Sequence, residues 1–183
     1  MPENLDFDLK NSIRDFVNKT LDEENPKEKC FTMCYILSVY LTIFEIEHSI
    51  KSGFIKGIGH YIITLKSGLC IDPTAKQIDE NYDKVIIKEN LYDEYNLYEI
   101  DFDEIYQKWE YPLLNNGLKL LENENSSIDI IPYLKILYRS YLIIKEIIKN
   151  QEIKGPQIQN IFIKDYIEKT KKIISENKEK FKY

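Results

Sequence analysis

Cysteine and histidine are scarce in this chain: three cysteines and two histidines stand among 183 residues. Three cysteines in a chain this long do not build a disulfide framework. A surplus of positive charge is also lacking. Lys and Arg number 25 against 31 Asp and Glu, for a net charge of −6. Broad binding to a phosphate backbone needs massed Lys and Arg, so a nucleic-acid partner is not expected. The basic residues of the last turns (Lys171, Lys172, Lys178, Lys180, Lys182) read as a solvated helix end, which the helix dipole favours. No apolar run is long enough to cross a bilayer. The longest, Phe31 to Phe44, is interrupted only by hydroxyl residues and still falls short. The leading segment MPENLDFDLKNSIRDF is acidic and amphipathic, unlike a cleavable signal peptide. These absences point to a soluble, cytoplasmic protein with no membrane partner, while delivery as an effector without a cleavable signal stays open.

What is present is a globular composition, 43% hydrophobic and 31% charged, with length for one domain and a real core. Leu5, Leu9, Ile13, Phe16, Val17 and Leu21 recur at helical spacing and predict an amphipathic helix over residues 6–22. Asn25, Pro26 and Glu28 then have the form of an N-cap, a first-turn proline and a capping-box acid. They predict a second helix that starts at or shortly after Asn25 and runs to about Glu47. It is apolar on nearly every side, so it is expected to be buried on all sides as the central helix. His48 falls near its end, where a histidine suits the helix C-terminus.

Gly53, Gly57 and Gly59 are expected to punctuate a loop. HYIITL, KSG and LCIDP then read as strand, tight turn, strand. KVIIK, 84–88, suggests a third strand and 95–100 a fourth. From about residue 100 the pattern turns helical, with helices expected over Asp101–Glu110, Leu113–Leu121, 129–149 and a last one marked by Ile158, Ile161, Phe162, Tyr166, Ile167 and Ile173. Asp101, Asp103 and Glu104 suit a helix N-terminus and need no catalytic role. The Tyr133, Leu137, Tyr141 stripe reads as helix packing or a partner surface.

One of the two histidines opens a predicted strand. Across the KSG turn, His60 faces a position within 72–75, so His60 and Asp72 are direct or near-direct cross-strand neighbours. A carboxylate so placed can accept an imidazole N–H and fix its tautomer. Cys30 opens the buried helix, where the dipole and unpaired amides favour the anionic, nucleophilic form of a thiol. Cys30, His60 and Asp72 thus form the outline of a nucleophile, a base and an orienting acid.

The order Cys…His…Asp, with C-x-x-x-(small)-x-x-L-x-x-x-L (Cys30, Cys34, Leu37, Leu41), then Gly57 and His60, then Asp72-Pro73-Thr74-Ala75-Lys76-Gln77, resembles the papain-like and transglutaminase-like cysteine peptidase superfamily. More narrowly it resembles the branch that includes papain-fold bacterial toxins and small transglutaminase-like proteases and deamidases. The resemblance covers about residues 25–80. It implies an α+β, papain-like core, placed over 1–100, with a central buried helix on a small antiparallel sheet; the shift to a helical pattern near residue 100 marks a helical extension over 101–183 packed on that core, as a separate domain or part of the same one. The resemblance implies thiol-dependent acyl transfer on a peptide or protein substrate, with Cys30 as nucleophile, His60 as base and acid, Asp72 as orienter and no cofactor. Such enzymes often carry a glutamine before the cysteine as oxyanion donor, and EENPKEK has none. Asn25 or backbone amides of the helix start are the substitutes, and Gln77 either shapes the site or is mere surface. Tyr61 stands where many relatives have tryptophan.

Plainer readings exist for each residue. Cys30 and Cys34 are core thiols in one, with Cys34 packed and inert. Cys70 is packing. Asp72 before Pro73 is a turn residue. Cys30, Cys34, His48, His60 and Cys70 are also ligand types that zinc accepts, though their spacing matches no compact zinc knuckle. A catalytically inactive binding module on the same scaffold is the rival function.

Overall fold

The computed structural model of the chain describes residues 3–27, 29–95, 97–99, 131–150, 161–177 and 179. In order these form α1 (Glu3–Leu21), α2 (Cys30–Ile43), β1 (His48–Ile55), β2 (Ile58–Leu65), β3 (Leu69–Asp72), a short 3-10 turn (Ala75–Gln77), β4 (Ile86–Glu89), the one-turn α3 (Leu91–Glu94), β5 (Leu97–Glu99), α4 (Ile131–Asn150) and α5 (Ile161–Glu176). The architecture is mixed α+β. The helices expected over 101–110 and 113–121, the boundary near residue 100 and the acids Asp101, Asp103 and Glu104 lie outside the described residues.

The all-round apolar character of α2 has a direct cause. One side packs on the sheet through Ile50, Ile63, Leu65, Leu69, Ile71 and Ile87. The rest is covered by α1, α4 and α5, which contribute residues such as Ile13, Phe16, Leu134, Ile136, Ile163 and Tyr166 to the same core. Phe16 of α1 stacks on Tyr40 of α2 with ring centroids 4.2 Å apart. Shaving a fully buried Leu37 or Leu41 to alanine should cost about 2–5 kcal/mol. The described C-terminal helices therefore share the core of the α/β part. Arg139 of α4 reinforces this. Its guanidinium donates to the Leu21 carbonyl at the end of α1 (3.2 Å) and pairs with Asp22 (3.2 Å) and Glu24 (3.7 Å).

Both ends of α2 differ from expectation. Asn25 is not its N-cap. The Asn25 carboxamide oxygen accepts from the Lys27 amide at 2.9 Å, and the Lys29 amide donates to the Pro26 carbonyl at 3.1 Å. The capping signature closes on itself as a local turn, and the helix begins at Cys30 after Lys29. At the other end, Ile46 N–H donates to Leu41 O and Glu45 N–H to Thr42 O, the paired bonds of a Schellman motif. Glu45 occupies the left-handed position (φ 55°) usually given to glycine. The helix thus stops four residues before Glu47, and His48 begins a strand instead of ending a helix.

That strand, β1, replaces the expected loop at Gly53. It pairs along its full length with β2, from His48 opposite Leu65 to Ile55 opposite Ile58. Lys56 (φ 50°) and Gly57 (φ 80°) make the turn, both in the left-handed region that a type I′ hairpin requires. The antiparallel sheet has the order β4-β3-β2-β1-β5. Its second face carries a smaller cluster: Ile55, Ile62, Cys70, Leu91 and Tyr95. Among the described residues, no helix is long and apolar enough to cross a membrane.

Candidate active site

The site forms where β3 leaves β2. The two strands pair at Ile63 opposite Ile71 and Thr64 opposite Cys70. Continuing that register puts Asp72 across from Ile62 and one diagonal step from His60, on the same face. Pro73 follows, which has no N–H for a ladder and turns the chain aside. Asp72 shapes that turn itself: its Oδ1 accepts from the Thr74 amide at 2.9 Å. Its Oδ2 is left for His60, whose Nε2 donates to it at 2.8 Å. Both side chains are fully buried.

With Nε2 committed, Nδ1 is the free nitrogen of His60. It is buried and makes no hydrogen bond at ordinary distance, its interaction with Cys30 being a longer one. Burial alone would lower the imidazole pKa. The Asp72 hydrogen bond and the interaction with Cys30 outweigh it and raise the value to about 9. The ring is therefore an imidazolium at neutral pH, clamped by a carboxylate and within electrostatic reach of the thiol.

Cys30 arrives from the first turn of α2, around the side of β2 that β3 has vacated. Its sulfur lies 3.9 Å from the Gly59 carbonyl. Gln77 Nε2 donates to the same sulfur at 3.7 Å and to the same carbonyl at 3.5 Å. Gln77 reaches back because the 3-10 turn after Pro73 folds Ala75–Gln77 toward β2. Lys29 makes no side-chain cap, so the first amides of α2 carry none. The structure thus brings Cys30, His60, Asp72 and Gln77 together. Asn25 is exposed, with its side chain turned to the Lys27 amide.

The other cysteines and the second histidine have their own surroundings. Cys34 is fully buried one helical turn on. Burial first, then the nearby Cys30 and Asp72, push its pKa well up and keep it a thiol. Cys70 lies in the smaller cluster, 3.7 Å from both Gly68 O and Thr64 Oγ1. His48 Nδ1 donates to the Ile46 carbonyl at 2.7 Å, so Nε2 accepts from Ser38 at 3.0 Å. Burial lowers its pKa and keeps it neutral. Among the described residues, no group of three His, Cys, Asp or Glu side chains stands together as a metal site.

Tyr95 has no counterpart in the sequence reading. Its ring meets the edge of His60, centroids 6.0 Å apart, and closes over the histidine–aspartate pair. Burial, and then the Asp72 charge, push its hydroxyl pKa upward. It follows the one-turn α3, and no motif signals that placement.

Comparison with known protein families, with curated proteins and with solved structures finds no match to this chain.

Proposed function

We propose that this chain is a thiol-dependent acyl-transfer enzyme of papain-like or transglutaminase-like type, acting on a peptide or amide carbonyl of a protein or peptide substrate. The observation that carries the reading is the division of labour on His60: Nε2 is held by Asp72 at 2.8 Å, which leaves the ring's other nitrogen, Nδ1, for the interaction with Cys30. An orienting acid, a correctly turned imidazole and a thiol at a helix start have no structural need of one another. Together they make an activated nucleophile.

The chemistry follows from these groups. The Cys30 thiolate attacks the carbonyl carbon, and the C–O π electrons move onto oxygen. Gln77 Nε2, already 3.7 Å from the sulfur, and the Cys30 amide donate to that oxyanion. The intermediate collapses with cleavage of the C–N bond, and the imidazolium of His60 passes its proton to the departing amine. The acyl group remains as a thioester. Water then adds to it, with His60 accepting the water's proton, and the acid leaves as Cys30 is restored. With ammonia as leaving group the net reaction is deamidation. With a second amine in place of water it is cross-linking.

A second reading is an inactive protein-binding module on the same scaffold. It is favoured by the small exposure of the thiol: Cys30 is 6% exposed. Site-resolved alkylation separates the two. An enzyme gives a Cys30 that iodoacetamide labels at pH 7 faster than Cys34 and Cys70, and His60→Ala removes the advantage. A binding module gives no such advantage.

A further inference from the structure

Four residues after the nucleophile, α2 carries a second cysteine. Cys30 and Cys34 are both free thiols and both buried, at 6% and 0% exposure. Positions four apart on a helix share one face, with Cα atoms about 6 Å apart. That separation lies inside the range a disulfide spans. A helical side chain also leans toward the N-terminus, so the Cys34 thiol is carried back over the turn that starts at Cys30. Its electrostatic neighbours, Cys30 and Asp72, put it on the side of the helix that faces the site.

Bonding the two sulfurs requires the Cβ atoms to close by about 1–2 Å from their helical spacing. The start of α2 can supply that movement. Cys30 is its first residue, and Lys29 before it makes no side-chain cap. The contacts of the Cys30 sulfur to Gly59 O and Gln77 Nε2 are long, 3.9 and 3.7 Å. Cys70 packs in the smaller cluster on the second face of the sheet.

We infer that Cys30 and Cys34 form a peroxide-reactive dithiol site, in which oxidation of the nucleophile is captured as an internal disulfide across the first turn of α2. The inference rests on the acyl-transfer reading for the nucleophilic thiolate of Cys30. That thiolate attacks one oxygen of hydrogen peroxide, the O–O bond breaks, and the departing hydroxide takes a proton from the His60 imidazolium. The products are water and a sulfenic acid on Cys30. The sulfur of Cys34 then attacks the sulfenic sulfur, the S–O bond breaks, and the leaving hydroxide takes the Cys34 proton as a second water. Two thiols give up two electrons and one peroxide becomes two waters. Burial disfavours the Cys34 thiolate, and the intramolecular attack offsets this. The disulfide has no thiolate to attack a carbonyl, so acyl transfer stops until a thiol reductant restores the pair. Without Cys34, further peroxide carries Cys30 on to a sulfinic acid, which such reductants do not reverse.

The test exposes the full chain to hydrogen peroxide at pH 7 and reads the tryptic peptide 30–51, which holds both cysteines, by mass spectrometry. The wild type should yield that peptide lighter by two hydrogens and unlabelled by iodoacetamide after unfolding. Dithiothreitol should return both labels. Labelling of Cys30 in the folded protein should fall at least about tenfold on oxidation and recover with the reductant. In Cys34→Ala the same exposure should leave Cys30 as a sulfinic acid that dithiothreitol does not recover. In the wild type, a Cys30 sulfinic acid with Cys34 still a thiol, or a link to Cys70, would overturn the pair. If Cys30 was labelled by iodoacetamide before oxidation, the enzyme reading would then stand. A Cys30 inert both to iodoacetamide at pH 7 and to peroxide would overturn both.

Discussion

Gln77 places its side-chain nitrogen 3.7 Å from the sulfur of Cys30, across 47 residues of sequence. Under the acyl-transfer reading, the contact makes a glutamine downstream of the aspartate available as the oxyanion donor, with none upstream of the cysteine. The thiol comes from a helix start, the amide from a turn behind a proline, and β2 holds both through the Gly59 carbonyl.

If Gln77 serves the oxyanion, its loss should appear in turnover and not in the nucleophile. Gln77→Ala is expected to lower kcat on a peptide substrate by about 10²–10³. The iodoacetamide rate at Cys30, a displacement that forms no oxyanion, should change little. A parallel loss in both would assign Gln77 to holding the thiol.

The His60 pKa, raised from 6.5 to about 9, makes stability depend on pH. The folded state holds its proton more tightly than the unfolded chain. The stabilisation is therefore fully present below about pH 6.5 and is lost as pH rises through about 9. The urea midpoint of the wild type should fall across that window, and the fall should be much smaller in His60→Gln. A flat wild-type profile would place the two states' pKa values together.

Tyr95 should separate covering from hydrogen bonding. Its buried hydroxyl makes no hydrogen bond at ordinary distance but interacts with the Asp72 carboxylate at longer range, so Tyr95→Phe should change stability by no more than ~1 kcal/mol and keep most activity. Tyr95→Ala removes the ring, should cost about 3–5 kcal/mol, and should depress kcat by admitting water to the His60–Asp72 pair. Thermal melts and turnover of the two variants compare these effects.

Glu45 offers a test remote from the site. It is exposed and holds a left-handed conformation at the end of α2, φ 55°. Glycine adopts that conformation without the steric cost, offset in part by the added freedom of the unfolded chain. Glu45→Gly should leave activity intact and raise stability by roughly 0.5–1 kcal/mol, measured by urea unfolding.

The readable parts of the site were those set by local rules. His60 and Asp72 were legible because KSG spans two strands whose alternation puts them on one face. The offset from direct to diagonal came from the three-residue turn, with Gly68 at φ 88°. Cys30 was legible as the front of an apolar run. The helix limits were not, because Asn25 and Pro26 spend their capping groups on a turn and Glu45 ends the helix without the usual glycine. β1 was hidden behind Gly53, which here is a paired strand residue opposite His60. Tyr95 and the contact of Gln77 depend on how a turn and a one-turn helix pack in three dimensions, and no spacing rule reaches that far.

The central claim is that Cys30 is a nucleophile made by His60, and rates of iodoacetamide labelling at pH 7, read residue by residue by mass spectrometry in wild type and His60→Ala, test it most directly. Cys30 should label well ahead of the buried Cys34 and Cys70 in the wild type, and lose at least about tenfold in rate in His60→Ala while Cys34 and Cys70 do not change. Equal Cys30 rates in the two proteins would contradict the account.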